Sequence, residues 1–359
     1  MRKLKVGIIG CGGIALQKHL PALSELSELC EIHSFCDLIP QRAEDAKARY
    51  GNSESSIHLD YRDLLGDESI DVVHVLTPNT SHRPITVDAF AAGKHVLCEK
   101  PMAATYSDAL LMMDAWRRSG KQFTIGYQNR FRPEVWSLKQ GCDQGKLGEI
   151  YFAKAHAIRR KAVPTWGVFM DKEKQGGGPL IDIGTHALDM TLWMMGNYEP
   201  VSVMGSVYRK LSDQVDGNLF GPWDPKTYDV EDSAFGFIKM RNGATVFLEA
   251  SWILNVAKSR EASTTLCGSR AGAEILKNQV HYYSSENGLL LDQQNPDVGE
   301  VAYFGGRPLS VGRREAESWL LSILRNSQPV VVPDQALVVT RILEAIYESA
   351  REGREIRFE

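Results

Sequence analysis

The sequence has no apolar run long enough to span a bilayer and no stretch dense in lysine and arginine. The first absence excludes a membrane-spanning helix. The second, with a formal charge of only −4, leaves no electrostatic footprint for nucleic acid or an anionic membrane. Cysteine is sparse as well: Cys11, Cys30, Cys36, Cys98, Cys142 and Cys267 are scattered without a C-x-x-C pair. That argues against a zinc site or a disulfide framework and suits a reducing compartment. The opening Met1-Arg2-Lys3-Leu4-Lys5 passes into Val6-Gly7-Ile8-Ile9-Gly10, too short and too soon broken by glycine to be a secretory signal. A cytoplasmic protein with small-molecule partners is expected.

What is present is an ordinary globular composition, 43% hydrophobic and 24% charged, over 359 residues, which suits two cores. From Leu4 to about Gly126 short apolar runs alternate with amphipathic stretches, the pattern of βαβ units feeding a parallel sheet. Strands are predicted at Leu4–Ile9, Cys30–Cys36, Val72–Leu76, His95–Cys98 and Gln122–Tyr127, with helices such as Pro40–Tyr50 and Ser107–Ser119. After Leu147 the rhythm becomes that of a mostly antiparallel sheet: Ile150–Arg159, Val201–Arg209, Ser233–Met240, Thr245–Trp252 and Ser263–Gly268. Helices are predicted at Thr185–Met195, Arg314–Arg325 and Gln335–Arg351. The expected architecture is α/β: a Rossmann dinucleotide-binding domain over residues 1–126, then an α+β domain with an open sheet over 127–359. The final helices are free to pack back on the first domain.

Gly10-Cys11-Gly12-Gly13-Ile14-Ala15 is G-x-G-x-x-A between a buried strand and a helix, the context a dinucleotide fingerprint requires. The first glycine permits the tight turn, the second lets the backbone approach a pyrophosphate, and the alanine keeps helix-on-strand packing close. Asp37, at the end of the second strand, is placed to accept from ribose hydroxyls and to repel a 2′-phosphate, so NAD is expected over NADP. A turn or capping role would also suit Asp37, and the nearby Arg42 tempers the preference. Thr77-Pro78-Asn79, His82 and Glu99-Lys100-Pro101 follow further strand ends, where the cofactor crevice of such a sheet lies. Without analogy Lys100 at a strand end reads more readily as a solvated charge than as a catalytic group. Asp182 and His186, after the run Gly176-Gly177-Gly178-Pro179-Leu180, are four residues apart at a helix start and would share a face. They fit acid/base work better than metal binding, since two ligands make a poor site. A capping Asp182 and a surface His186 are the plain alternative.

In this order the segments resemble the Gfo/Idh/MocA oxidoreductases, the family of glucose-fructose oxidoreductase and inositol 2-dehydrogenase. The likeness takes in Gly126-Tyr127, Arg130-Phe131, Val230-Glu231-Asp232, Asn242-Gly243, Gly268-Ser269 and the tail Ile342–Ala350. It implies that Gly10, Gly12, Gly13, Ile14, Ala15, Asp37, Arg42, Thr77, Pro78, Asn79, His82, Glu99 and Lys100 serve the cofactor. It also implies that Lys100, Asp182 and His186 are catalytic, with Tyr127, Arg130, Arg159, Trp166, Asp182 and His186 around the substrate. His186 is assigned as the base, Asp182 as its orienter and Lys100 as the cation beside the reacting oxygen, though the Lys and His roles are exchangeable.

Arg159-Arg160, Pro164–Phe169, Gly221–Pro225 and Tyr228–Asp232 are similar to the branch containing bacterial D-glucoside 3-dehydrogenases, which implies a sugar or polyol substrate oxidised at C3. Arg159 offers donors for vicinal hydroxyls, and the Trp166 indole suits the C–H face of a pyranose, although loop packing explains it equally. Other members of this fold imply other outcomes: an inositol 2-dehydrogenase, an NAD-dependent glycosidase working through transient C3 oxidation, or a non-catalytic NAD-binding regulator. The strand Thr245–Trp252 carries large apolar side chains at both parities, and the resemblance points to a homo-dimer or homo-tetramer.

Overall fold

The computed structural model describes residues 2–294 and 310–358. The chain divides into two compact units, Met1–Phe131 with Pro308–Leu337, and Arg132–Arg307 with Val338–Glu359.

In the first unit six parallel strands run β1 (Leu4–Ile9), β2 (Cys30–Cys36), β3 (Ser56–His58), β4 (Val72–Val75), β5 (His95–Cys98) and β6 (Phe123–Ile125), in the spatial order 3-2-1-4-5-6. Strand order reverses between β1 and β4, so the crevice for a dinucleotide lies at the carboxyl ends there. Burial explains the apolar runs: all four residues of β4 are enclosed. The core on the β1–β2 side is closed by the helix Val311–Leu324, which delivers Ala316, Trp319 and Leu320 to the same cluster as Val6, Ile8 and Leu20. The fingerprint leads into a π turn, Ala15–His19, before the short α-helix Leu20–Ser24. The helix Tyr106–Ser119 starts where the Thr105 hydroxyl accepts from Asp108 N and stops at Gly120, whose φ of 65° suits a residue without Cβ.

The second unit is built on a nine-stranded sheet. To β7 (Ile150–Ile158), β8 (Pro200–Tyr208), β9 (Ser233–Met240), β10 (Thr245–Ser251) and β11 (Arg260–Gly268) the structure adds β12 (Gly272–Leu276), β13 (Gln279–Glu286), β14 (Leu289–Gln294) and β15 (Ile356–Arg357). The order is 14-13-12-11-7-10-9-8-15, antiparallel except for the β7–β10 pair. One face carries the helix Thr185–Met195, whose Thr191 hydroxyl donates to Thr264 on β11, and the helix Pro333–Glu352. That second helix comes so close that a Cβ on Gly205 or Gly236 would collide with Ile346. The other face leaves Met204 47%, Tyr208 44% and Phe237 42% exposed. No described helix is long and apolar enough to cross a membrane.

Candidate active site

In the first unit the predicted cofactor residues gather at the strand carboxyl ends. Gly10 follows β1 with φ of 97°, and a Cβ there would lie 2.6 Å from the Leu76 carbonyl oxygen. At Gly12 and Gly13 an added Cβ would meet nothing within 4 Å, so the bare backbone faces open space, as close approach to a pyrophosphate requires. Ala15 is fully buried against the sheet while Ile14 is 37% exposed. Asp37 stands just after β2 and braces the loop: its Oδ2 accepts from Cys11 N at 2.9 Å and its Oδ1 from Ile39 N at 2.9 Å. A carboxylate retains further lone-pair sites for ribose hydroxyls. Arg42 is exposed in the first turn of the helix Pro40–Tyr50. Pro78 and Asn79 lie in the turn after β4; the Thr77 methyl packs beside Gly10, and the Thr77 Oγ1 is buried without a protein partner. These features fit an NAD pyrophosphate and ribose.

Four of the residues expected beside the cofactor or substrate are enclosed. His82 is fully enclosed, and its two ring nitrogens face the Pro101 and Thr77 carbonyls at 2.9 and 3.0 Å, so it ties two loops together from inside the domain. Glu99, at 6% exposure, has both oxygens committed to protein donors: Oε2 to Lys100 N at 3.0 Å, Oε1 to Lys18 Nζ at 2.5 Å and His19 Nε2 at 2.8 Å. It braces the Lys100 turn, and a Cβ on Gly126 would stand 2.9 Å from its Oε1. Tyr127 is wholly buried, and so is Arg130, whose Nη1 donates to Val330 O and Gln335 Oε1 at 3.1 and 2.7 Å.

Around Glu99 lies a cluster that the sequence reading did not single out. Lys18 bridges Glu99 to Glu315 at 2.9 Å, and His19 Nδ1 sits 3.2 Å from His74 Nδ1. Burial works against ionising Glu99, yet the Lys18 cation and the His19 hydrogen bond hold its carboxyl well below the usual range. Burial pushes the Glu315 carboxyl up. Burial, together with the Lys18 charge, lowers His19 to about 4, so it is a neutral ring at physiological pH. Glu315 lies 216 positions beyond Glu99 (315 less 99), a separation at which no local pattern links them.

In the second unit Asp182 lies in a π turn, Leu180–Gly184, that runs straight into the helix Thr185–Met195 and brings His186 into its first turn. Trp252, just past β10 and fully buried, donates its indole N–H to Asp182 Oδ2 at 3.0 Å. Arg159, just past β7, pairs its backbone N with Ser251 O at 2.8 Å, beside that tryptophan. Its guanidinium is held as a fork: Nε and Nη2 donate to the two oxygens of Glu261 at 2.6 and 2.7 Å, and Nη1 to Ala162 O at 3.1 Å. Burial disfavours the Arg159 cation, but the Glu261 carboxylate and then the charge of Asp182 outweigh it. Arg159 is therefore a clamped cation within electrostatic reach of Asp182, not a free set of donors.

Glu261 was missed by sequence reasoning. It sits in an irregularity of β11, where the register with β7 jumps between Arg260 and Ser263 and Ala262 adopts φ of 47°. No glycine or proline advertises this bulge. Trp166 is 52% exposed, stands edge-on to Phe220 at 4.8 Å and to Phe169 at 5.9 Å, and Phe169 reaches Trp252 at 6.4 Å. An aromatic chain thus leads from an accessible indole to the ring that holds Asp182.

Comparison with known proteins identifies the family. Residues 4–127 match the model of an oxidoreductase family with an NAD-binding Rossmann fold, and residues 139–358 match its C-terminal alpha/beta domain. The chain is 36% identical to the D-glucoside 3-dehydrogenase of Escherichia coli (strain K12) over 355 residues, 98% of this chain and 97% of that enzyme. It is 31% identical to the levoglucosan dehydrogenase of Pseudarthrobacter phenanthrenivorans over 276 residues, 70% of this chain and 68% of that enzyme. A solved levoglucosan dehydrogenase in complex with NADH and levoglucosan, 22% identical, superimposes with a TM-score of 0.86 over 99% of each chain and shares the fold. The family matches together take in most of the chain, which belongs to the Gfo/Idh/MocA oxidoreductases as an NAD-binding member.

Proposed function

We propose that the chain is a sugar dehydrogenase that oxidises the C3 hydroxyl of a glucopyranoside, or of a closely related polyol, to a ketone. The observation that carries this reading is the end-to-end identity of 36% with a D-glucoside 3-dehydrogenase, covering 98% of one chain and 97% of the other. NAD, when bound, supplies the hydride acceptor. The residues supply the rest. His186 takes the hydroxyl proton as the general base. Asp182, fixed by the Trp252 indole, orients the base and holds a neighbouring hydroxyl. Lys100, set by the Glu99 carboxylate through its backbone N–H, places a cation beside the developing alkoxide. The Trp166 indole offers a flat apolar surface to the C–H face of the ring.

A ring hydroxyl flanked by two others is a distinctive target, because a 3-epimer would leave buried polar groups unpaired. The test is NMR identification of the product after incubation with NAD and methyl glucoside, with methyl alloside in parallel. A carbonyl at C3 of the glucoside and little turnover of the alloside are expected. A lactone at C1, or activity confined to inositols, would overturn the substrate assignment. The assembly proposed is a homo-dimer or homo-tetramer formed on the open sheet face, where Met204, Phe237 and Phe247 lie in register across β8, β9 and β10.

A further inference from the structure

The start of the helix that carries Asp182 and His186 has no local cap. Pro179 precedes the π turn, and neither Pro179 nor Gly184 supplies a side-chain acceptor to the first turn. The N–H groups there need partners all the same, because a buried helix start without them is costly. They are satisfied from 53 residues further along the chain, where the Glu231 carboxylate accepts from Gly178 N with Oε2 at 2.8 Å. Its Oε1 accepts from Leu180 N at 3.1 Å and from the Tyr347 hydroxyl at 2.8 Å. The Gly178 peptide passes this anchoring on, since its carbonyl accepts from Asp182 N at 3.0 Å. The glycine run now has a packing reason: a Cβ on Gly177 would run into the Tyr347 hydroxyl, and one on Gly178 into the Glu231 carbonyl oxygen. Glu231 is 7% exposed and Tyr347 lies on the helix Pro333–Glu352, so a carboxylate and a phenol fix this turn from the interior.

We propose that Glu231, steadied by Tyr347, is a positioning residue for the Asp182–His186 pair, holding the Gly178 peptide whose carbonyl accepts from Asp182 N. The inference rests on the reading that Asp182 and His186 act on the substrate. It gives Glu231 no contact with the reacting atoms. Its effect is geometric, and misplacement of a catalytic group by about 1 Å costs on the order of 10²-fold in rate.

The experiment measures kcat, KM and NAD affinity for Tyr347→Phe, Glu231→Gln and Glu231→Ala, each made in the native chain and in an Asp182→Asn background. Glu231→Ala should lower kcat by about 10- to 100-fold, and Tyr347→Phe, which removes one of three hydrogen bonds, by about 3- to 10-fold. Glu231→Gln keeps one carbonyl acceptor but turns an amide donor toward a backbone N–H, so it should fall between glutamate and alanine. NAD affinity should stay within about twofold, and in the Asp182→Asn background the same changes should alter the residual rate by less than about twofold. If Glu231→Ala fails to fold, Tyr347→Phe and Glu231→Gln carry the test. Native kcat in those two variants, or the same fold loss in both backgrounds, would overturn the positioning role while leaving the catalytic pair standing. Native turnover in Asp182→Asn alone would remove the pair from the mechanism, and the proposal with it.

Discussion

At the residue scale the account rests on a few side chains with separable duties. Lys100→Ala and His186→Ala should each lower turnover by about 10² to 10⁴-fold while NAD binding stays measurable by fluorescence titration, because both are assigned to the reacting hydroxyl. Near-native turnover in either variant would strike that residue from the mechanism. Asp37 has a different duty. Its carboxylate braces Cys11 N and is placed to accept from ribose hydroxyls, so Asp37→Ala should narrow the preference for NAD over NADP in steady-state kinetics. An unchanged preference would show that coenzyme choice is made elsewhere. Legibility at this scale followed chemistry more than burial. The glycines of the fingerprint, Asp37 and the Asp182 and His186 spacing stand out in the sequence because each residue type is unusual for its local pattern. Sequence does not report that Tyr127, Arg130, His82 and Glu99, expected beside the ligands, are enclosed. The structure turns them inward, where hydrogen-bonding capacity serves the scaffold.

At the scale of elements, close backbone approach sets the tolerances. Gly268 ends β11, its N donates to Ala271 O at 2.9 Å, and a Cβ there would collide with the Leu147 carbonyl. Gly268→Ala should therefore destabilise the protein by about 1–3 kcal/mol, read as a lowered denaturation midpoint in urea. An unchanged midpoint would mean that the turn yields without cost. The strands read correctly, such as Cys30–Cys36 and Ser233–Met240, are those whose buried apolar or alternating residues carry the signal. β13 and β14 escaped because neither alternates apolar with polar residues along its length: Leu289-Leu290-Leu291 is followed by Asp292-Gln293-Gln294, and these side chains are mostly half-exposed or exposed. The turn chemistry between them was nevertheless present: Asn287 and Gly288 both adopt positive φ, as a two-residue hairpin loop demands. β15 is two residues long and pairs through its backbone with β8, which no periodicity could announce.

At the scale of the whole molecule, the second unit's sheet has helices on one face and exposed Met204, Tyr208 and Phe237 on the other. A homo-dimer or homo-tetramer is expected by light scattering at micromolar concentration, and Phe237→Asp should shift it toward monomer. A native monomer would refute assembly on this face. The central claim is a hydride transfer from one carbon of a sugar ring to NAD, and isotope labelling reads it directly. Methyl glucoside deuterated at C3, incubated with the protein and NAD, should give reduced coenzyme carrying one deuterium by mass spectrometry, while substrates deuterated at C1 or C2 give none. Deuterium arriving from another carbon, or reduced coenzyme without label from the C3-deuterated sugar, would contradict the account.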